Sequence, residues 1–114
     1  MEIRKIQNKD ELHEVGRLRY DITVKEMNLE MAHADHQTQT VIEPLDFTGH
    51  VFAAWESGRV VATFRTNFLR ECQVGFYHEA YNISELLTDN PIDGLAVTTR
   101  LAVAKEYRGS MLTI

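Results

Sequence analysis

A chain of 114 residues suits one domain, spanning 1–114, with a modest core, and 44% hydrophobic and 25% charged residues are ordinary for a globular protein. Twelve basic against 17 acidic residues give a net charge of −5, which argues against a nucleic-acid partner while leaving room for an anionic ligand at a local cluster such as Arg100, Lys105 and Arg108. The lone Cys72 excludes an internal disulfide, no apolar run approaches the ~20 residues of a membrane span, and Met-Glu-Ile-Arg-Lys lacks the apolar core of a signal peptide, so the cytoplasm is the default.

Ile3 and Ile6 bracket a short first strand. Asn8 followed by Glu11 has the spacing of a capping box, and Leu12, Val15, Leu18 and Ile22 recur at helical intervals, so residues 9–26 read as one amphipathic helix. Gly16 weakens that helix by about 1 kcal/mol relative to alanine unless close packing requires the missing side chain. From Asn28 to Thr48 the pattern dissolves into a long polar segment broken by Pro44, read as an irregular loop. Its His33-Ala-Asp35-His36 run has chelating residue types, but no framework elsewhere completes a site, so a solvated loop without metal is expected.

The clearest local signal follows. His50 to Glu56 and Val60 to Phe68 are β-rich runs joined by Ser57-Gly58-Arg59, an antiparallel hairpin. Residues 76–88 are short helix material with Ser84 as the cap of a second turn, and Asp89-Asn90-Pro91 and Asp93-Gly94 are turns. Leu95 to Ala104 forms the last strand, which runs into Tyr107-Arg108-Gly109-Ser110 and the start of a new apolar segment. A strand, a basic glycine-containing turn and a helix start together present backbone N–H groups to a phosphate. The expected class is α+β: a mixed, mostly antiparallel sheet with flanking helices.

The stretch from Leu101 to Ser110 resembles the acyl-CoA-binding signature of the GCN5-related N-acyltransferase superfamily, in which a central strand ends in an Arg/Gln-x-x-Gly-x-Gly/Ala loop. Arg108 and Gly109 match it; Met111 and Thr113 stand where two later glycines are usual. The resemblance implies the N-terminal part of that fold, with acyl-CoA or acyl-phosphopantetheine as co-substrate and no metal. It places cofactor contacts at Leu101, Ala102, Val103, Arg108, Gly109, Ser110 and Met111. A backbone N–H between Leu101 and Val103 would polarise the thioester carbonyl, where charge develops in the transition state. The pantetheine arm would lie along the strand.

A narrower resemblance rests on Arg17-Leu-Arg19-Tyr20, Leu45-Asp46-Phe47, Arg65 and Thr99-Arg100-Leu101. These look like the acyl-homoserine-lactone synthases and, more so, the long-chain N-acyl amino acid synthases, which draw their acyl chain from an acyl carrier protein. Arg19, Asp46, Arg65 and Arg100 are thereby implied in substrate binding. Val97 stands where the lactone synthases carry a glutamate base, which turns the expectation away from lactone formation. The implied reaction is acyl transfer from acyl-CoA or acyl carrier protein to a primary amine, that of an amino acid among the candidates.

The base stays open between Glu26, Asp46, Glu56 and an ordered water. Plain structural roles stand beside these: Arg19 and Glu26 as exposed helix charges, Asp46 as organiser of the turn after Pro44, and Arg100 in a buried ion pair with Asp46. The competing reading is a truncated or split acyltransferase without activity of its own, a binding module that pairs with a second copy or a complementing C-terminal fragment.

Overall fold

Helix α1 (Lys9–Tyr20) begins where the sequence places its cap: the Asn8 side chain accepts from the Glu11 N–H at 2.9 Å. The reciprocal arm of the box is displaced by one residue. Glu11 accepts from the Gln7 N–H at 2.7 Å and is gripped through both oxygens by Arg4, which draws its carboxylate toward strand β1 (Glu2–Lys5). The computed structural model describes residues 1–72, 74, 76–89 and 92–109. The expected turn at Asn90-Pro91 and the expected cofactor contacts at Ser110 and Met111 lie outside them.

The helix expected over 9–26 changes character after Tyr20. Asp21–Glu26 wind as a π-helix, and the Thr23 hydroxyl donates to the Arg19 carbonyl at 2.7 Å, competing with the backbone for that acceptor. The segment expected to be irregular carries a two-stranded ribbon, β2 (Ala34–Asp35) with β3 (Thr40–Val41), and then helix α2 (Pro44–Thr48). Thr40 and Val41 are buried against α1. Gly16 is where that approach is tightest: a Cβ there would meet Ile42 Cγ1 at 3.0 Å and the Val41 oxygen at 3.3 Å, so close packing does require the glycine.

Strands β4 (His50–Glu56) and β5 (Arg59–Phe68) form the expected hairpin with a shorter turn. Ser57 and Gly58, both at positive φ, make a two-residue connection whose twist matches the strands, so Arg59 already belongs to β5. Helices α3 (Phe76–Ala80) and α4 (Ile83–Asp89) follow. The second opens after Asn82 rather than at Ser84, whose hydroxyl bonds the His78 ring at 2.8 Å instead of capping the helix. Strand β6 (Ala96–Val103) closes a four-stranded sheet of order β1-β4-β5-β6, in which every pairing among the described strands is antiparallel. The class is α+β.

The two faces of this sheet differ. On one, Leu12, Val15 and Leu18 of α1 pack on Val51, Ala53 and Val61, each buried leucine or valine contributing roughly 1.5–3 kcal/mol. The other carries Phe52 and Phe64 with rings stacked 5.1 Å apart, flanked by the exposed Ile3 and Leu101. No helix among the described residues is long and apolar enough to cross a membrane.

Candidate functional site

Asp46 is the third residue of α2 and accepts the Glu43 N–H at 2.7 Å, which fixes its carboxylate at the mouth of that helix. Arg19 from α1 meets it with both terminal nitrogens, at 2.8 and 2.9 Å, and Arg65 from β5 adds a bond of 3.0 Å. Four donors therefore occupy a carboxylate with about four acceptor sites. No lone pair is left for a substrate proton. Asp46, Arg19 and Arg65 are all buried, so Arg19 is not an exposed helix charge and Arg65 does not face solvent.

Arg100 does not reach Asp46. It clasps Glu43 instead, with Nε at 2.7 Å and a terminal nitrogen at 2.8 Å, while Arg65 joins the same carboxylate at 3.0 Å and reaches the Thr99 hydroxyl at 3.3 Å. The physical reason is occupancy: Asp46 is already saturated, and Arg100 sits at φ +58 in a kink of β6. Burial pushes the Glu43 carboxyl up, but Arg100 and Arg65 outweigh it and bring it down to about 2. Three guanidinium groups thus face two carboxylates, and one positive charge is left over. The Nε–H groups of Arg19 and Arg65 are buried without an acceptor among the described residues. Arg100 is the member that opens to solvent, with about a third of its side chain exposed.

The kink is a β-bulge. Thr63 pairs with Ala102 and Arg65 with Thr99, so between those pairs β5 has Phe64 alone while β6 has Arg100 and Leu101. A bulge leaves its extra residue out of the ladder and re-aims the side chains beside it. Here it turns Arg100 toward Glu43 on one face and leaves Leu101 exposed on the other. Ala102, Val103 and Ala104 beyond it are buried, and Val97 is buried at the other end of the strand.

After β6 a single 3-10 turn, Lys105–Tyr107, leads to Arg108 and to Gly109 at φ +81, a conformation that favours glycine. Arg108 is engaged: its Nε donates to the Val103 carbonyl at 3.0 Å and its terminal nitrogens hold both oxygens of Glu26. That hydrogen bond keeps the Glu26 carboxyl below the usual range. Glu26 is exposed but paired, and Glu56 lies 3.5 Å from the N-terminal amine. His33 and His36 form no metal centre with their neighbours: the His36 ring bonds the Tyr20 hydroxyl at 2.7 Å, and no group of three His, Cys, Asp or Glu side chains among the described residues could hold an ion.

The structure therefore gathers Arg19, Asp46, Arg65 and Arg100 into one network. Arg108 and Gly109 form a second element at the end of β6, closed by Glu26. Glu43 was missed by sequence reasoning, although an acidic residue before Pro44, three positions ahead of Asp46, has the spacing of a helix cap. No protein-family model, curated protein or solved structure matches the chain.

Proposed function

We propose that this chain carries the donor and acceptor sites of an N-acyltransferase, with an acyl-CoA or acyl carrier protein thioester as donor and a primary amine as acceptor. The bulge at Arg100 and Leu101 is the observation that carries the reading. It lies in the strand expected to hold the thioester, and it takes backbone out of the ladder where an N–H directed at the carbonyl oxygen would stabilise the tetrahedral transition state. β6 is, with β1, one of the two outer strands among those described, so an extended pantetheine arm would lie beside it in the manner of an added strand. The turn at Arg108 and Gly109 follows at the end of this strand, and its guanidinium would leave Glu26 to meet the phosphates.

The arginine network supports an acceptor that bears a carboxylate, such as an amino acid. Its surplus positive charge reaches solvent through Arg100, whose guanidinium would share or exchange its clasp on Glu43 to hold an acceptor carboxylate. Asp46 has no acceptor site to spare, so it serves to position arginines rather than to take the ammonium proton. A thiol-release assay on the full gene product tests the reaction. Amine-dependent release from acyl-CoA or acyl carrier protein is the expected result, and release that ignores the amine with both donors overturns it.

A further inference from the structure

On the sheet face opposite the arginine network, Lys5, His50 and Glu71 form a chain of contacts. The Lys5 Nζ stands 2.7 Å from His50 Nδ1, and His50 Nε2 stands 2.8 Å from a Glu71 oxygen. An ammonium has only donors and a carboxylate only acceptors. His50 must therefore accept at Nδ1 and donate at Nε2, which fixes one neutral tautomer. The ring is held edge-on by Phe68, at 5.4 Å between centroids, with the Arg70 guanidinium on that same Phe68. Lys5 comes from β1, His50 from the start of β4 and Glu71 from the turn after β5, so three separate segments converge.

This is the order of groups in a carboxylate–histidine–nucleophile relay, with an amine in the nucleophile's place. Lys5 also pairs directly with Phe52 across β1 and β4, and Phe52 lines a groove of about 230 Å³ with Ile3, Phe64 and Leu101. The groove is apolar and open at the surface, and Phe52, the cross-strand partner of Lys5, is part of its lining. Nothing in the arginine network contributes to it.

We propose that Lys5 is a site of self-acylation, activated by His50 and Glu71, with a medium-chain acyl thioester as the reagent and the groove over Phe52 and Phe64 as the seat of the chain. His50 Nδ1 takes a proton from the Lys5 ammonium. The amine attacks the thioester carbonyl, a C–N bond forms and the C–S bond breaks. The departing thiolate takes up one proton, and the second proton lost by Nζ passes through His50 to solvent. The products are an amide at Lys5, a free thiol and one proton, with no change of oxidation state. Glu71 stabilises the imidazolium while it lasts. The proposal does not rest on the transferase reading, because it needs neither the arginine network nor an acceptor amine from solution.

The test uses the octanoyl thioester of N-acetylcysteamine, which has no nucleotide, at mildly alkaline pH without added amine. Peptide mapping by mass spectrometry then compares Lys5 with Lys9, Lys25 and Lys105 of the same molecules. The expected result is acylation of Lys5 at least about tenfold faster than of the other three, as a positioned base supplies. His50→Gln and Glu71→Gln should lower Lys5 to their level, and the acetyl thioester should react more slowly than the octanoyl one. Equal rates at the four lysines overturn the proposal without recourse to any variant. Unchanged Lys5 labelling in a folded His50→Gln protein overturns the relay, and equal acetyl and octanoyl rates overturn the groove. Arg100→Ala should leave Lys5 labelling unaltered, whereas it should suppress amine-dependent transfer, which separates failure of this proposal from failure of the transferase.

Discussion

Two arginine–carboxylate clusters in this chain use the same functional groups and stand in opposite environments. Around Asp46 the charges are out of water, supplied by α1, α2 and β5, and every oxygen is used. At the end of β6, Arg108 and Glu26 meet across 82 residues of sequence with both side chains more than a third exposed. In the first cluster desolvation makes each partner indispensable to the other. In the second, water competes for both ends and the pair can open without penalty to the fold. The difference separates the two: the buried cluster holds a geometry, and under the proposed function the exposed one would exchange its carboxylate for a phosphate.

The comparison is broken most directly by Asp46→Asn. It leaves two buried guanidinium groups short of a partner, and the expected loss is about 3–5 kcal/mol in denaturant unfolding. A loss below about 1 kcal/mol would mean that the network is hydrated and that the contrast with Glu26 is false.

Acid acts on the same cluster through Glu43. Its carboxyl is held at about 2 against an ordinary 4.5, so the folded state binds the proton less readily than the unfolded one. The resulting stabilisation, on the order of 3 kcal/mol, is complete above about pH 4.5 and disappears as pH falls toward 2. Unfolding free energies measured across that window should show the loss, and Glu43→Gln should flatten much of it.

The smallest stability effect is expected from Glu26→Gln, whose unfolding midpoint should stay indistinguishable from that of the parent. Its consequence belongs to binding instead. With Arg108 released, calorimetric titration should show tighter association with CoA, and an unchanged or weaker affinity would remove Arg108 from the phosphate site.

Local elements were legible where one short-range pattern decided them. Leu12, Val15 and Leu18 announce the buried face of α1, and Ser57-Gly58 announces the hairpin. The π-helix after Tyr20 was not legible, because Ile22 continues the helical spacing while a single Thr23 hydroxyl diverts a carbonyl. The ribbon of β2 and β3 escaped for a different reason. Two-residue strands have no period to detect, and the burial of Thr40 and Val41 depends on a helix some twenty positions earlier. At the site, the residue types were visible and the pairing was not. Which arginine meets which carboxylate depends on saturation of Asp46 and on a backbone kink, both properties of the assembled fold.

Arg100 holds two properties that a single residue type rarely combines. Its backbone occupies a left-handed conformation that costs a side-chain-bearing residue about 1–2 kcal/mol, and glycine would relieve that cost. Glycine would also abolish the clasp on Glu43. Arg100→Gly and Arg100→Ala are therefore not two versions of one deletion: the first keeps the shape of the strand and removes the charge, while the second removes the charge and keeps the strain. Measured side by side, they divide what this position contributes as scaffold from what it contributes as an ion.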